Sequence, residues 1–233
     1  ILESRMTSVT GGLKRQIEQQ LIAGTSLGAA SRLASLNGTL GGTTTDRFLY
    51  TGPTATDGTA IGGLARSAST GLQNIRKNAN TEGGINEALT AAYLEAHANA
   101  QFSDTDVIIA GALAFNAYKS ELFAQERYVD VNKLDGGNLA LMFHGVPIEY
   151  SSWMSDGSAS TQGLSSTMFG INFEGIKIKI DPQADFKILP FNDAQSQLAR
   201  TAFVHLRMQL YACHLSSQFV VFGAGSTAPV SGS

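Results

Sequence analysis

The stretch Leu139-Ala-Leu-Met-Phe-His-Gly-Val-Pro-Ile-Glu-Tyr150 holds two strand patterns separated by His144-Gly145. The chain continues with Gly170-Ile-Asn-Phe-Glu-Gly-Ile-Lys-Ile-Lys-Ile180, where isoleucines alternate with lysines in the period of a half-buried strand. Phe186 to Leu189 forms another short strand pattern, and apolar residues then alternate with polar ones from Ala202 to Tyr211. Gln218-Phe-Val-Val-Phe222 closes the series. The last third of the chain is therefore predicted to be sheet.

The chain opens with a helical pattern over residues 1–24. Apolar residues recur there at spacings of three and four, which places them on one face of a helix. These residues are Leu2, Met6, Val9, Leu13, Ile17 and Leu21. Gly11 and Gly12 weaken the pattern, and Gly24 is expected to end the helix.

The middle of the chain combines helices with a buried strand. Residues 85–101 carry an apolar stripe typical of a helix, and Val107 to Ala110 is a continuous apolar run typical of a buried strand. A third helix is predicted from about Leu113 to Glu126, followed by a short strand from Tyr128 to Val131. Because this block precedes the sheet and no repeat period is present, the order predicts an α+β fold.

Turn signals dominate residues 25–82, among them Asn37-Gly38, Gly41-Gly42 and Asp57-Gly58. We predict a loop-rich passage there, with one short strand from Arg47 to Tyr50. Long loops in compact domains usually serve a function or are stabilised by a partner.

The composition restricts the class of protein. The 233 residues, 43% of them hydrophobic, suffice for one large domain or two closely joined ones with a real core. Only 15% are charged, so much of the surface must be neutral. Such a surface suits a subunit covered by its neighbours, although many Gly, Ala, Ser and Thr residues in loops would give the same composition. The net charge of −3 shows no overall basic character of a nucleic-acid-binding protein.

Cys213 is the single cysteine, so no intramolecular disulfide can form, which is compatible with a reducing cytoplasm. The sequence holds no run of 18 apolar residues, and we expect no membrane-spanning helix. It begins at Ile1 without a signal-peptide pattern, and an upstream segment is expected to be missing, through processing or trimming.

The sequence offers no catalytic or metal-binding constellation. The histidines are scattered and lack the spacing of a zinc site, and a Cys213–His pair would need a base within hydrogen-bond reach. These histidines are His97, His144, His205 and His214. The serines between Ser151 and Ser166 contain no Gly-x-Ser-x-Gly motif, and the glycine pairs at 41–42, 62–63 and 83–84 match no phosphate-binding loop. The aspartates at positions 104, 106, 181 and 185 are too few in each place to hold calcium.

Several cations of the first half could meet phosphates without reading sequence. They are Arg5, Lys14, Arg15, Arg32 and Lys77. A solvated helix face explains most of them equally well.

The order of these parts resembles that of the major capsid proteins of tailed bacteriophages with the Hong Kong 97 fold, a fold shared with encapsulin shells. Glu3 to Gly24 resembles the long spine helix of that family, and Phe143-His-Gly-Val-Pro-Ile148 resembles its Gly-x-Pro strand pair. The remaining matches are Phe48 to Gly52 and Asp57 to Leu64 (a Gly-rich passage), Glu87 to Gly111 (helix, polar turn and buried strand) and Gly170 to Phe222 (the sheet). The resemblance covers residues 3–223 and rests on order and spacing.

The resemblance implies a Hong Kong 97-like α+β fold with a spine helix, an α/β axial domain and a β-rich peripheral domain. It assigns residues 1–47 to the peripheral domain, 48–165 to the axial domain, 166–223 to the peripheral β-sheet and 224–233 to a C-terminal tail. The family also has an N-terminal arm and an extended loop before the spine helix. Because this sequence starts at the helix, we expect those parts to be disordered, cleaved or missing from it.

The function that the resemblance implies is structural. The chain would be no enzyme, with no catalytic, cofactor-binding or metal-binding residues and no cofactor. It would be a major capsid protein that self-assembles through pentamers and hexamers into an icosahedral shell around double-stranded DNA, which it would meet only non-specifically. Portal, scaffold and decoration proteins are candidate partners, no membrane is involved, and the protein would belong to the virion capsid after assembly in the host cytoplasm. The alternatives are an encapsulin-type nanocompartment shell and, from another class, a small cytosolic hydrolase using Ser or Cys213.

Overall fold

The computed structural model describes eleven parts of the chain. They are residues 2–23, 49, 60–61, 64–65, 69–100, 104–124, 132–133, 139–154, 164–190, 192–193 and 200–224. The predicted strand at Tyr128 to Val131, all of the predicted strand at Arg47 to Tyr50 except Leu49, and the tail after residue 224 lie outside them.

The described helices agree with the three long helical patterns and add a short one. They are α1 (Leu2–Ala23), α2 (Ala79–Glu82), α3 (Ile85–Asn99) and α4 (Ala112–Ala124). In α3 the apolar stripe is buried as its spacing predicts, because Ile85, Leu89, Ala92 and Ala96 all face the core.

The strands are short and numerous within the described residues. In chain order they are β1 (Ala60–Ile61), β2 (Leu64–Ala65), β3 (Ile75–Asn78), β4 (Val107–Ala110), β5 (Asn132–Lys133), β6 (Leu139–Phe143), β7 (Val146–Tyr150), β8 (Met168–Ile171), β9 (Ile176–Ile180), β10 (Lys187–Ile188), β11 (Asn192–Asp193), β12 (Arg200–Thr201), β13 (Val204–His205), β14 (Met208–Ala212) and β15 (Phe219–Phe222). The predicted strands at β4, β6, β7 and β15 are confirmed.

A seven-stranded mixed sheet organises the molecule, in the order β3-β15-β8-β4-β7-β6-β5. β15 runs parallel to β3, and β4 runs parallel to β7, whereas the other neighbours are antiparallel. The central strands β8 and β15 are buried on both faces, which explains their continuous apolar sequences.

The sheet is covered on both faces. On one face α3 and α4 pack against alternate residues such as Ile108, Met168 and Phe219. On the other face, Phe169 and Val220 meet the end of α1, the turn at Trp153–Met154 and the start of β9. The period of two residues along each strand therefore distributes the apolar side chains between two cores.

Beyond this sheet, residues 176–193 and 200–212 form an irregular antiparallel pair of arms that we call the ribbon. β9 pairs with β14, β10 with β13 and β11 with β12. A 3₁₀ turn at Pro182–Ala184 interrupts the first arm, and the backbone bonds Asp181 N–H to Arg207 O (3.0 Å) and Arg207 N–H to Ala184 O (2.9 Å) bridge the interruption. The chain then returns to the sheet through β15.

Three sequence predictions need correction. Residues 25–82 were predicted as loop apart from one strand, but β1, β2, β3 and α2 lie within them. β3 (Ile-Arg-Lys-Asn) lacks an apolar run because it lies at an edge of the described sheet, where its polar side chains stay half-buried and Lys77 pairs with Glu95. The predicted long strand from Ala202 to Tyr211 is divided between β13 and β14, because the 3₁₀ turn on the opposite arm interrupts its pairing.

The third correction concerns the burial of β9. Ile176 is buried as predicted, but Ile178 and Ile180 are 47% and 43% exposed, because the ribbon extends past the core that covers its first residues. The seven-stranded sheet contains strands from both sides of residue 165, since β8 and β15 lie beside β4 and β3, and the domain division at that residue stays a prediction.

Candidate interaction surfaces

The residues of the hydrolase hypothesis do not come together in the part of the chain that is described. Cys213 is exposed, and no described side chain acts as a base for its thiol. The His214 ring lies against Ser216, with Nε2 3.1 Å from the Ser216 Oγ, and His205 lies exposed on β13. A nucleophile needs a base that a third group orients, and the described residues do not provide that arrangement.

Sequence reasoning treated His97 and His144 as unrelated, but the structure brings both of them to Tyr93. The Tyr93 ring stacks on His97 at a centroid distance of 6.4 Å and on His144 at 5.4 Å. Nδ1 of His97 also contacts the Asp104 carboxylate. Burial and the negative charge of Asp104 raise the pKa of the Tyr93 hydroxyl. No sequence signal could reveal this stack, because His144 lies in the β6–β7 turn and Tyr93 in α3. Only the packing of the helix on the sheet brings the two side chains together.

Two of the four aspartates considered for calcium have structural roles. The Asp106 carboxylate accepts a hydrogen bond from the Phe173 N–H (2.7 Å), and the Asp181 carboxylate accepts one from the Gln183 N–H (3.0 Å). Among the described residues, no group of three His, Cys, Asp or Glu side chains could hold a metal ion. Nor does the described part of the chain contain a helix long and apolar enough to cross a membrane.

Each of the three described cations among those singled out from the first half of the sequence has its own partner within the fold. Lys77 pairs with Glu95 at 2.9 Å, Lys14 lies 5.9 Å from the centre of the Phe186 ring, and Arg15 lies 5.7 Å from the centre of the Trp153 ring. The side chain of Arg5 and all of Arg32 lie outside the described residues. Lys14 and Arg15 therefore join α1 to the ribbon and to the turn after β7.

A carboxylate that the sequence did not mark stabilises the start of α3. Glu121 of α4 accepts hydrogen bonds from the N–H groups of Ile85 (2.9 Å) and Asn86 (3.0 Å). These are orphan donors of the first helical turn, and Gly84 at the N-cap has no side chain to satisfy them. A Cβ on Gly84 would lie 2.9 Å from Glu121 Oε1, so the glycine makes room for the carboxylate.

Several exposed apolar side chains of the described residues belong to the ribbon. Its apolar face is buried at Ile176 and Leu210 but continues, exposed, through Ile178, Ile180 and Ile188, which is 45% exposed. Cross-strand pairing places Ile178 opposite Leu210 and Ile188 opposite Val204, so these residues share one face. Exposed apolar side chains grouped on one face make the ribbon a candidate interaction surface.

Comparison with solved structures identifies the fold. The capsid asymmetric unit of cyanophage A-1(L) aligns with a TM-score of 0.63 over 96% of this chain and 69% of that chain, at 14% sequence identity. The fold is that of Hong Kong 97-type capsid proteins. The predicted α+β class and Hong Kong 97-like fold are therefore confirmed.

A second Hong Kong 97-type match is the holo-SrpI encapsulin complex from Synechococcus elongatus PCC 7942. Its TM-score is 0.48 over 65% of this chain, at 11% sequence identity, and this chain spans 52% of that one. No protein-family model matches the sequence, and a search of curated proteins finds no match. The likeness is thus one of fold, carried by structure and not by sequence.

Proposed function

We propose that this chain is the major capsid protein of a tailed phage, a structural subunit that assembles into an icosahedral shell around double-stranded DNA. The observation that carries the proposal is the exposed apolar face of the ribbon on a Hong Kong 97-type fold. Exposed isoleucines lose contact with water when a second copy covers them, which drives association. The function is assembly without catalytic turnover.

In this proposal the seven-stranded sheet with α3 and α4 forms the axial domain. The spine helix α1 and the ribbon form the peripheral domain. After the ribbon the chain returns to the axial domain as strand β15. Copies would contact each other head to tail and so form closed rings, the pentamers and hexamers. Portal, scaffold and decoration proteins are further candidate partners, and assembly would take place in the host cytoplasm before the shell becomes part of the virion.

The test is electron microscopy of the purified protein beside a ribbon variant. We expect closed particles from the unmodified chain and dispersed subunits from Ile178→Asp/Ile180→Asp, because two carboxylates would have to be buried at the contact. The matched control is Asn99→Asp/Asn116→Asp, which adds the same charge at exposed polar positions of α3 and α4 and should still assemble.

The contents of the particles separate the two shell functions. DNA protected from nuclease inside them supports the capsid, whereas an enclosed protein in place of DNA supports an encapsulin-type nanocompartment. An unmodified chain that stays monomeric at every concentration and salt condition tried would contradict both.

A further inference from the structure

The ribbon has a second exposed face, opposite its apolar one. Register places Lys177 directly across from Tyr211 and Lys179 across from Gln209 in the β9–β14 pair. All four residues are exposed. Residues directly opposite each other in an antiparallel pair point to the same side, so both lysines lie on this face.

The second arm of the ribbon extends this face. From residue 202 to 211 every odd-numbered residue is exposed and every even-numbered one is at least half-buried, so the arm keeps one orientation throughout. Arg207 and His205 therefore continue the face of Gln209 and Tyr211. Lys187 joins them because it pairs directly with His205.

The resulting basic face carries four Lys or Arg side chains, which are Lys177, Lys179, Lys187 and Arg207. One of these cations has a carboxylate partner. Asp181 Oδ2 lies 3.5 Å from Arg207 Nη1, and the Arg207 side chain remains 69% exposed. No other carboxylate of the described residues pairs with them, although Asp185 lies exposed directly after the 3₁₀ turn.

This concentration of positive charge stands out in a chain whose net charge is −3. Like charges that are neighbours on a sheet repel each other and reduce stability, so the arrangement favours an external anion. The internal partners of Lys14, Arg15 and Lys77 show that other cations of this chain are engaged within the fold.

The spacing of the cations fits a regular polyanion. Alternate residues of a strand lie about 6.6 Å apart, so Lys177 and Lys179 can meet phosphates two positions apart on a DNA strand, where one phosphate occurs about every 3.4 Å along the axis. From Tyr211 to His205 the face measures about 20 Å, roughly the length of six such phosphates.

We infer that the basic face of the ribbon binds the phosphate backbone of double-stranded DNA, without reading its sequence. The inference rests on the proposed function, since it places this face toward the interior of the shell and the apolar face toward neighbouring subunits. An acidic protein segment is the competing kind of partner, and the experiment distinguishes it.

The test measures binding of unassembled subunits to a 30-base-pair duplex of mixed sequence by fluorescence anisotropy. Four phosphate contacts predict that log K falls against log salt with a slope of about −3 to −4, or about 100-fold between 50 and 200 mM salt. Lys179→Glu should weaken binding several-fold and reduce the magnitude of the slope by about 1. Lys119→Glu on α4 makes the same charge change away from the ribbon and should bind as the unmodified chain does.

Equal binding by Lys179→Glu and Lys119→Glu, or no binding by the unmodified chain, would overturn the inference. Binding to poly-glutamate in preference to the duplex would also overturn it, in favour of an acidic protein partner. Particle formation is scored separately: a Lys177→Glu/Lys179→Glu variant that forms empty particles supports both proposals. Failure of the unmodified chain to form particles rejects the shell while leaving the anisotropy result to decide the DNA contact.

Discussion

The Glu121 carboxylate of α4 accepts a hydrogen bond from the backbone N–H of Ile85, the first residue of α3, at 2.9 Å. Its second oxygen accepts from the next N–H, that of Asn86. One side chain thus satisfies two orphan donors, places negative charge at the positive end of a helix and joins two helices of the same layer.

Glu121→Ala should lower the free energy of unfolding by about 1–2 kcal/mol, the usual cost of losing an N-cap. Glu121→Gln keeps one acceptor oxygen and should lose about 0.5–1 kcal/mol, because the charge and one of the two hydrogen bonds are removed. Urea unfolding of the purified chain measures both changes. Glu82→Ala, at an exposed end of α2, is the control and should shift stability by less than about 0.5 kcal/mol. Equal urea midpoints for Glu121→Ala and Glu82→Ala would contradict this role.

The Gln218 side chain is fully buried and forms hydrogen bonds to the turn between β8 and β9. Its Oε1 accepts from the Asn172 N–H (2.8 Å), and its Nε2 donates to the Asn172 carbonyl (3.1 Å). Gln218→Leu should destabilise the fold by about 1–3 kcal/mol, because the buried Asn172 N–H would lose this acceptor, whereas the Asn172 carbonyl keeps the N–H groups of Gly175 and Ile176. Thermal and urea unfolding measure the loss, and Gln183→Leu at an exposed turn is the matched control. A neutral Gln218→Leu would show that water replaces the amide there.

Gly170 gives the Phe219 ring the space it occupies. A Cβ at this position would overlap the ring, which belongs to the fully buried strand β15. Gly170→Ala should cost about 1–3 kcal/mol through overpacking, and Phe219→Leu in the same chain should recover part of that loss.

Gly12→Ala supplies the comparison for this effect. In α1 a new methyl group at Gly12 meets nothing within 4 Å, so the change should stabilise the helix by about 0.5–1 kcal/mol. The two Gly→Ala variants are expected to move the urea midpoint in opposite directions. A stabilising Gly170→Ala would mean that β8 and β15 can separate without loss.

Burial raises the pKa of the Tyr118 hydroxyl from 10.0 to about 12. Because the folded protein holds this proton more tightly, the stabilisation is complete below pH 10 and is lost as the pH rises through 12. Tyr118→Phe should therefore show a shallower fall in stability over that interval. At pH 7 it should lose about 1 kcal/mol with the hydrogen bond from the hydroxyl to the Met142 carbonyl (3.2 Å).

Urea midpoints between pH 8 and 12 measure this difference, with Tyr211→Phe as the exposed-tyrosine control. Tyr118→Phe and the unmodified chain falling in parallel would contradict the assignment.

Local patterns sufficed for the elements whose own residues carry their burial. The strands β4 and β15 have continuous apolar sequences because their residues enter the two cores on the two faces of the sheet. The apolar residues of α3 form a stripe because one face of this helix enters a core. The periodicity of the sequence shows such burial directly. The sequence did not predict β3, because an edge strand tolerates polar residues such as Arg76 and Lys77 and so lacks an apolar run. Its position depends on pairing with β15, which no short window of sequence contains.

The interaction surfaces depended still more on tertiary structure. Lys177 and Arg207 share a face only because of the register of two arms and the turn at Pro182–Ala184. The exposure of Ile178 depends on where the core ends, which periodicity does not report. Sequence order was enough for the fold, because the resemblance rested on the succession of elements, and it was insufficient for the surfaces.

The parallel pairing of β15 with β3 has a consequence for synthesis on the ribosome. β3 neighbours only β15 in the seven-stranded sheet, and the two strands are separated by most of the chain. A nascent chain therefore cannot close its sheet until Phe222 has emerged, and loop closure over such a distance is slow. Prematurely terminated copies would lack β15 altogether. Copies that stop before β15 would therefore leave β3 unpaired, and under the proposed function such copies would not enter the shell.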